Sequence, residues 1–209
     1  MWDERRTVAA GLRHRPAAVH YWLHRSDQLP GRSHPKQRPP AAVDITRPFL
    51  HDAVVLVRRA NSSDSDALAD LRWAWASESR TPPVSQPEFR GHFAAWFSAS
   101  ASIHVPFLAE AGATAVGMAW LARLPRVIDP TALHRMGGDV QSVYVLPDHR
   151  DRGIGEELVD AVLALAAAEG MEHVTVSSCS RALSLYTRSG FEVSPTLLAH
   201  VPGERVQGA

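Results

Sequence analysis

The chain has 209 residues, a length that suits one domain with an appendage and allows a sizeable hydrophobic core. Hydrophobic residues make up 45% and charged residues 21%, which is typical of a soluble globular protein, and no apolar run approaches the roughly 20 residues of a membrane span. The formal net charge is +0, so the total gives no reason to expect a polyanionic partner. The single cysteine, Cys179, excludes an internal disulfide and favours a reducing, cytoplasmic location.

Residues 1–50 differ in composition from the rest of the chain. They hold nine basic and four acidic residues, which leaves about +5 here and about −5 in the remainder. Prolines crowd the stretch 30–48, and we expect at most a short helix at residues 19–23. We therefore predict a basic, Pro-rich extension over 1–50, mobile or lightly docked, followed by a folded domain over 51–209. Scattered arginines without a fold motif give little support to a nucleic-acid partner.

One strand and two helices are predicted at the start of the folded domain. β-Branched residues predict a strand over 54–58, and Asn61 to Asp64 offer helix caps before apolar residues that recur at helical spacing through Trp75. A second helix is predicted over 87–99.

Strands and helices alternate in the second half of the domain. Strands are predicted over 105–110 and 114–123, joined by a hairpin turn, and after a loop over 124–138 a third strand covers 141–146. The remaining predictions are a helix over 154–169, a strand over 173–177, a short helix over 181–189, and extended structure from Phe191. The order β-α-α-β-β-β-α-β-α-β implies a mixed sheet covered by helices, an α/β (α+β) fold.

The connection between the strand ending near 146 and the helix beginning near 154 is typical of an anion site. Two glycines let a phosphate approach the backbone, and the first amides of a helix have no intrahelical partner. The helix dipole adds about half a positive charge there, and two arginines add charged donors. These features predict a turn that cradles a pyrophosphate. Its residues are Arg150, Asp151, Arg152, Gly153, Ile154 and Gly155.

Two other phosphate-binding motifs fit this turn less well. A Rossmann fingerprint needs a third glycine where Leu158 stands, and a Walker A loop needs Gly-Lys-Ser/Thr although the only lysine is Lys36. The remaining alternative is a helix that merely starts with glycines.

The pattern Val-x-Val-x-Pro-x-x-Arg-x-x-Gly-x-Gly over 143–155, followed by a tyrosine and a Gly-Phe pair within 182–191, resembles the GNAT (GCN5-related N-acetyltransferase) superfamily. The resemblance covers roughly residues 54–200 and leaves 1–50 unaccounted for. It implies a GNAT-like mixed, mostly antiparallel central sheet with helices on both faces. It also implies that acetyl-CoA is the co-substrate of an N-acetyltransferase, without a metal, and it is the only reason to expect a homodimer.

The resemblance further implies which residues bind the cofactor. The amides of the turn would bind the CoA pyrophosphate, and the strand before it would splay from its neighbour so that its backbone bonds the pantetheine arm. Many relatives carry an asparagine where this chain has Cys179, so we expect Ser178 or Ser180 to supply that contact and Cys179 to be buried. Besides the turn, the predicted cofactor-binding residues are Val143, Tyr144, Val145 and Ser178.

Two catalytic residues are predicted, an acid and a base. The tyrosine before the Gly-Phe pair, Tyr186, corresponds to the family's acid, and a phenol and a thiol have similar acidities; the alternative is a core tyrosine. An amine is mostly protonated near neutral pH, so attack on a thioester needs a proton acceptor, while a backbone N–H, here that of Val145, stabilises the oxyanion. Asp139 precedes the cofactor strand where some relatives keep a glutamate.

The base is the less specific of these two predictions. Strand parity places Asp139, Gln141, Val143 and Val145 on one face, but an aspartate after two glycines also suits a turn, and some relatives use only a water chain. Weaker candidates for the base are Glu110 and His134.

The acceptor site is expected in the first two helices, their connection at 77–87, and the 124–138 loop. Its candidate lining residues are Trp73, Trp75, Trp96 and Trp120, at least two of which we expect in the core. Glu78 and Glu88 are candidates for attracting a cationic amine, which the sequence leaves open as a small molecule or a peptide. Two alternatives remain: transfer to a hydroxyl, and a non-catalytic CoA-binding or regulatory module whose basic arm contacts a partner or nucleic acid.

Overall fold

The computed structural model describes residues 54–194 and, through its backbone alone, the segment 19–24. The predictions made for the other residues of 1–50 and for 195–209 lie outside the described residues. None of the helices described is long and apolar enough to cross a membrane.

Seven strands form one sheet, with four helices packed beside it in the described ranges. The strands are β1 (Val19–His24), β2 (Val55–Arg59), β3 (His104–Ala111), β4 (Thr114–Pro125), β5 (Met136–Val145), β6 (His173–Ser178) and β7 (Glu192–Val193). The helices are α1 (Ser65–Ser77), α2 (Gln86–Ser100), α3 (Ile154–Ala168) and α4 (Leu183–Arg188). The sheet order is β2-β3-β4-β5-β6-β1-β7, and β5–β6 is the one parallel pair among these strands. The predicted mixed, mostly antiparallel fold is confirmed.

Polar side chains cap the starts of α1, as the sequence predicts, and of α2, where no cap was predicted. Asn61 accepts a hydrogen bond from the backbone N–H of Ser63, and Asp64 accepts one from the backbone N–H of Asn61, a reciprocal capping box before α1. Ser85 caps α2 by accepting from the N–H of Glu88. These bonds satisfy amides that a helix start leaves without partners.

The two faces of the sheet carry different cores. Helix α3 covers one face with aliphatic side chains, among them Leu158 and Val162, while α1 and α2 cover the other with an aromatic cluster around Trp120. Trp120 is buried, whereas Trp75 and Trp96 are 39% and 43% exposed. Trp73 is half-buried, so one of the four candidate tryptophans is fully in the core and the expectation of at least two is wrong.

The prediction of a short helix at residues 19–23 is wrong, because this segment forms strand β1. It pairs antiparallel with β6 over its whole length and with β7 through Tyr21 and Trp22. The backbone groups of β6 and β7 offer ladder hydrogen bonds that local sequence reasoning cannot see.

The loop predicted over 124–138 is shorter in the structure. Because β4 continues to Pro125 and β5 begins at Met136, only residues 126–135 connect them. Asp139 consequently lies inside a strand and is not a turn residue.

A β-bulge in β5 changes which side chains share a face. Trp120 pairs with Gln141 and Met118 pairs with Tyr144, so both Ser142 and Val143 stand opposite a single residue of β4. Ser142 takes up the extra residue with a φ of 56°.

The predicted common face for Asp139, Gln141, Val143 and Val145 is therefore wrong. Gln141 and, by strand alternation, Asp139 lie on the α1/α2 face, whereas Val143 and Val145 pack against the α3 core. The inserted residue reverses the alternation, which sequence parity assumes to be unbroken.

Candidate active site

Strands β5 and β6 separate where the cofactor strand is predicted to splay. They pair only between Gly138–Val140 and Val174–Val176, and the bulge follows at once. Beyond it lies a cavity of ≈ 230 Å³, which we call the cleft. The cleft is lined by residues of both strands and of their flanking segments, including Trp75, Glu78, Val143, Tyr144, Val145, Arg150, Ser178, Cys179, Arg181 and Tyr186.

The turn before α3 presents a row of free amides. Asp151 and Gly153 have φ values of 60° and 83°, which bend the chain so that Gly153 becomes the N-cap of α3. The N–H groups of residues 151–155 make no hydrogen bond to any described residue, while the next amide, of Glu156, donates to Gly153. Such a row of unpaired amides at a helix start suits an anion with several oxygens.

A second cavity, of ≈ 410 Å³, lies in front of these amides, and we call it the turn cavity. Its lining includes Gly153, Ile154 and Gly155. It shares Val145, Arg150, Arg181 and Ala182 with the cleft, so the two cavities adjoin. Together they offer an anion-binding end and an end that lies between two strands.

The Arg150 side chain ties the turn to the end of α1. Its Nε donates to the carbonyl of Val145 at 2.9 Å, and its Nη2 pairs with the carboxylate of Glu78. The same carboxylate accepts from the Tyr144 hydroxyl at 2.8 Å. Burial and the bond to Glu78 raise the pKa of Tyr144 to about 12, so this phenol stays a neutral donor. Arg150 is therefore already engaged, which the sequence did not indicate.

Tyr186 brings an unpaired phenol to the cleft. It is 6% exposed, its ring packs edge-on against Phe191 at 5.6 Å between centroids, and its hydroxyl makes no hydrogen bond to any described residue. Burial, followed by the nearby Cys179 and Asp139, raises its pKa to about 12. The phenol is therefore protonated near neutral pH and has a proton to donate.

The candidate bases lie at different distances from this chemistry. Asp139 accepts hydrogen bonds from Thr175 Oγ1 at 2.8 Å and from Gln141 Nε2 at 3.0 Å, next to the cleft but not in its lining. Glu110 is held by Arg58 at the other end of the sheet, and His134 is exposed in the β4–β5 loop. Asp139 alone of the three stands close enough to Tyr186 to affect its pKa.

At the end of β6, Ser178 lies in the cleft, whereas Cys179 differs from the prediction in its exposure to solvent. Ser178 is buried, lines the cleft, and donates from Oγ to the carbonyl of Cys179 at 3.0 Å. Cys179 was expected to be buried but is exposed, because β6 ends before it and a 3₁₀ turn starts after it. Cys179 is part of the lining of the cleft and does not belong to the core.

Arg72 is a residue of this site that sequence reasoning missed. Its Nη1 donates to Ser142 Oγ at 2.8 Å, and its guanidinium lies over the Trp75 ring at 4.5 Å from the centroid. Burial lowers its pKa, yet no carboxylate among the described residues pairs with it. Arg72 thus holds the bulged residue Ser142 through its side chain. In the sequence, only the three-residue spacing from Trp75 indicated that Arg72 could contact that ring.

A larger cavity, of ≈ 600 Å³, lies at the opposite end of α1. Its lining includes Ser65, Phe97 and His104 but no carboxylate, thiol or phenol from the described residues. It therefore lacks the phenol and the carboxylate that line the cleft.

The sequence model of the Acetyltransferase (GNAT) family matches residues 66–191, more than half of the chain and the whole of the site described above. The chain belongs to this family. A comparison with curated proteins gives no match.

Solved GNAT structures share the fold at low sequence identity. A predicted acetyltransferase with acetyl-CoA from Clostridium acetobutylicum is 16% identical, with a TM-score of 0.59, over 71% of this chain and 96% of that one. Glucosamine-6-phosphate N-acetyltransferase from Arabidopsis thaliana is 14% identical, with a TM-score of 0.56, over 71% and 98%. Ribosomal-protein-alanine N-acetyltransferase from Brucella melitensis biovar Abortus 2308 is 18% identical, with a TM-score of 0.56, over 70% and 96%. At these identities the likeness shows the GNAT fold and does not choose an acceptor.

Proposed function

We propose that this GNAT protein transfers the acetyl group of acetyl-CoA to an amine by direct attack in a ternary complex. The observation that carries the proposal is the buried, unpaired phenol of Tyr186 in a cleft that adjoins a row of free amides. An acid in one cavity and an anion site in the adjoining one are what a phosphate-bearing thioester requires.

The residues present fit acetyl-CoA as the co-substrate. The amides of 151–155 would receive the pyrophosphate, with Arg152 adding charge, and the backbone of Val143 and Val145 would bond the pantetheine arm where β5 leaves β6. Ser178 is placed on the opposite wall of the cleft. When bound, acetyl-CoA supplies an acyl carbon that an amine nitrogen can attack.

The proposed chemistry assigns one proton transfer to each side of the cleft. Asp139, through water, takes the proton of the attacking amine as the new C–N bond forms. The N–H of Val145 stabilises the oxyanion. As the C–S bond breaks, Tyr186 gives its proton to the departing thiolate and then recovers one from solvent.

An acceptor screen tests the proposed function. The wild-type protein is mixed with acetyl-CoA and a panel of amino sugars, polyamines, aminoglycosides and peptides with free N-termini, and thiol release is recorded. We expect at least one amine to raise thiol release above the hydrolysis rate and to yield its N-acetyl product by mass spectrometry.

A binding measurement separates the two ways in which that screen can fail. At ~100 times its dissociation constant, acetyl-CoA should stabilise the fold by roughly 2.7 kcal/mol. The absence of a melting shift at millimolar acetyl-CoA contradicts the cofactor assignment. A melting shift without turnover of any amine contradicts the transferase assignment instead, and supports a non-catalytic module.

A further inference from the structure

The ion pair between Glu78 and Arg150 joins the two halves of the site. Glu78 is the residue that follows α1, and it lines the cleft; Arg150 lines both the cleft and the turn cavity. One guanidinium therefore stands between a carboxylate on the acceptor side and the free amides on the pyrophosphate side.

Glu78 is the one carboxylate in the lining of the cleft among the described residues. In the ligand-free protein its charge is compensated by Arg150, and the Tyr144 hydroxyl holds the carboxylate from the β5 side. Asp139, on the same face of the sheet, is already bonded to Thr175 and Gln141. Glu78 is thus the carboxylate that a cation in the cleft can bind, but only if Arg150 has left it.

Solvent exposure weakens the ion pair that Arg150 must leave, while the move also gives up its contact with the Tyr144 ring and strains its Nε hydrogen bond to the Val145 carbonyl. The Glu78 and Arg150 side chains are each 32% exposed, and ion pairs with this much solvent access are weak. A pyrophosphate at the turn carries more charge and accepts the guanidinium in a bidentate manner, which is the stronger interaction.

We propose that Glu78 binds an ammonium group of the acceptor, and that acetyl-CoA uncovers it by drawing Arg150 to the pyrophosphate. This inference rests on the proposed function and makes it more specific: the acceptor is recognised through its positive charge, and acetyl-CoA binds first. Tyr144 keeps Glu78 in place after Arg150 has moved.

The Glu78→Gln variant tests the inference because it should affect the two substrates in opposite directions. Freed from its partner, Arg150 should bind acetyl-CoA about two- to fivefold more tightly by calorimetry. The kcat/KM for the acceptor found in the screen should fall about tenfold or more, mainly through KM, because a charge-assisted contact is lost. Glu78→Asp keeps the charge and should recover part of this loss. A purely structural role for Glu78 would weaken both substrates together and overturn the proposal.

Asp70→Asn provides the matched control. Asp70, within α1, is also a carboxylate paired with an arginine, Arg90, but it lines neither the cleft nor the turn cavity. We expect both substrate affinities to be unchanged in this variant.

The Arg150→Gln variant tests the order of binding. In the wild-type protein, calorimetry should detect acceptor binding only when coenzyme A is present; in Arg150→Gln the acceptor should bind without it, while acetyl-CoA affinity falls about tenfold. Acceptor binding that still depends on coenzyme A in this variant overturns the proposal that acetyl-CoA uncovers Glu78.

If no amine is a substrate of the wild-type protein, the proposed function has failed. Unchanged or weaker acetyl-CoA binding by Glu78→Gln instead counts against the exchange of partners by Arg150.

Discussion

At the scale of single residues, Tyr186 combines burial with an unused hydrogen-bonding group. Its ring is buried, whereas its hydroxyl oxygen keeps contact with solvent in the cleft that Tyr186 lines. Phe191 packs against the ring, and nothing described accepts from the hydroxyl. A role in donating a proton to a ligand accounts for this arrangement better than core packing does.

Replacing Tyr186 with Phe should separate catalysis from folding. We expect kcat to fall about 100-fold, within the usual range for a lost general acid, with acetyl-CoA affinity unchanged. The free energy of unfolding should not decrease, because the lost hydroxyl makes no hydrogen bond in the folded protein. Steady-state kinetics and urea titration of the variant check both statements, and normal turnover would show that Tyr186 is not the acid.

The same residue should make the fold sensitive to alkaline pH. Its pKa is raised by burial from its ordinary value near 10 to about 12, so the folded state holds this proton more tightly than the unfolded state. The contribution of this proton to the free energy of unfolding is complete below pH 10. It is lost as pH rises from 10 to 12, by about 1.4 kcal/mol per pH unit where Tyr186 is protonated in the folded state and ionised in the unfolded state. Urea midpoints measured from pH 8 to 11 should therefore decline less steeply in Tyr186→Phe than in the wild type; equal slopes would contradict the shifted pKa.

At the scale of elements, two distortions of the backbone create the site. The bulge at Ser142 turns β5 away from β6 and opens the cleft, and the positive φ at Gly153 turns the chain so that its amides face one cavity. Arg72 holds the first distortion through Ser142 Oγ. Regular strand and helix continue on both sides, so the site is built where two elements end.

The two glycines of the turn should respond differently to alanine. Gly153 has a φ of 83°, so Gly153→Ala should cost roughly 1–2 kcal/mol of stability although its Cβ would meet nothing within 4 Å. Gly155 lies in the first turn of α3 with ordinary φ, and its Cβ would meet only Leu185 at 3.6 Å. Gly155→Ala should leave stability unchanged or raise it by about 0.5–1 kcal/mol.

Acetyl-CoA affinity should reveal the other role of Gly155. Because Gly155 lines the turn cavity, a methyl group there stands where the phosphate would approach, and we expect about tenfold weaker binding by calorimetry. Full affinity in Gly155→Ala would mean that the pyrophosphate does not lie against this amide.

At the scale of the whole molecule, the chain's N-terminal quarter contributes to the sheet. Strand β1 lies between β6 and β7, so it links β7 to the rest of the sheet. The sequence predicts a folded domain over 51–209 with 1–50 as an extension. A cytoplasmic location and a homodimer also stay predictions.

Deleting residues 1–50 tests where the folding unit begins. Removal of β1 leaves β6 and β7 without their common partner, and we expect the free energy of unfolding to fall by about 2 kcal/mol or more and aggregation to increase. Deleting residues 1–16 keeps β1 and serves as the control, with a smaller loss expected. A 51–209 fragment as stable as the full chain would show instead that the extension is only lightly docked.

The sequence predicted those features that depend on local chemistry. Capping residues located the start of α1, a β-branched run located β2, and the glycine pattern located the turn at Arg150–Gly155. It failed where the outcome depends on partners distant in sequence. The helix expected at 19–23 became a strand beside β6, and the common face expected for Asp139 and Val145 was divided by the bulge.

By itself the sequence determined the order of the elements from β2 onward and the resemblance to the family, and it singled out the turn and Tyr186 as candidates, because amide, glycine and phenol chemistry is read from a few adjacent residues. Only the tertiary structure decided that Tyr186 is buried without a partner, that Cys179 is exposed, and that Arg150 pairs with Glu78. The physical reason is that burial and charge pairing depend on distances between residues far apart in the chain: Glu78 and Arg150 are 72 positions apart, and only the packing of α1 beside β5 brings them together.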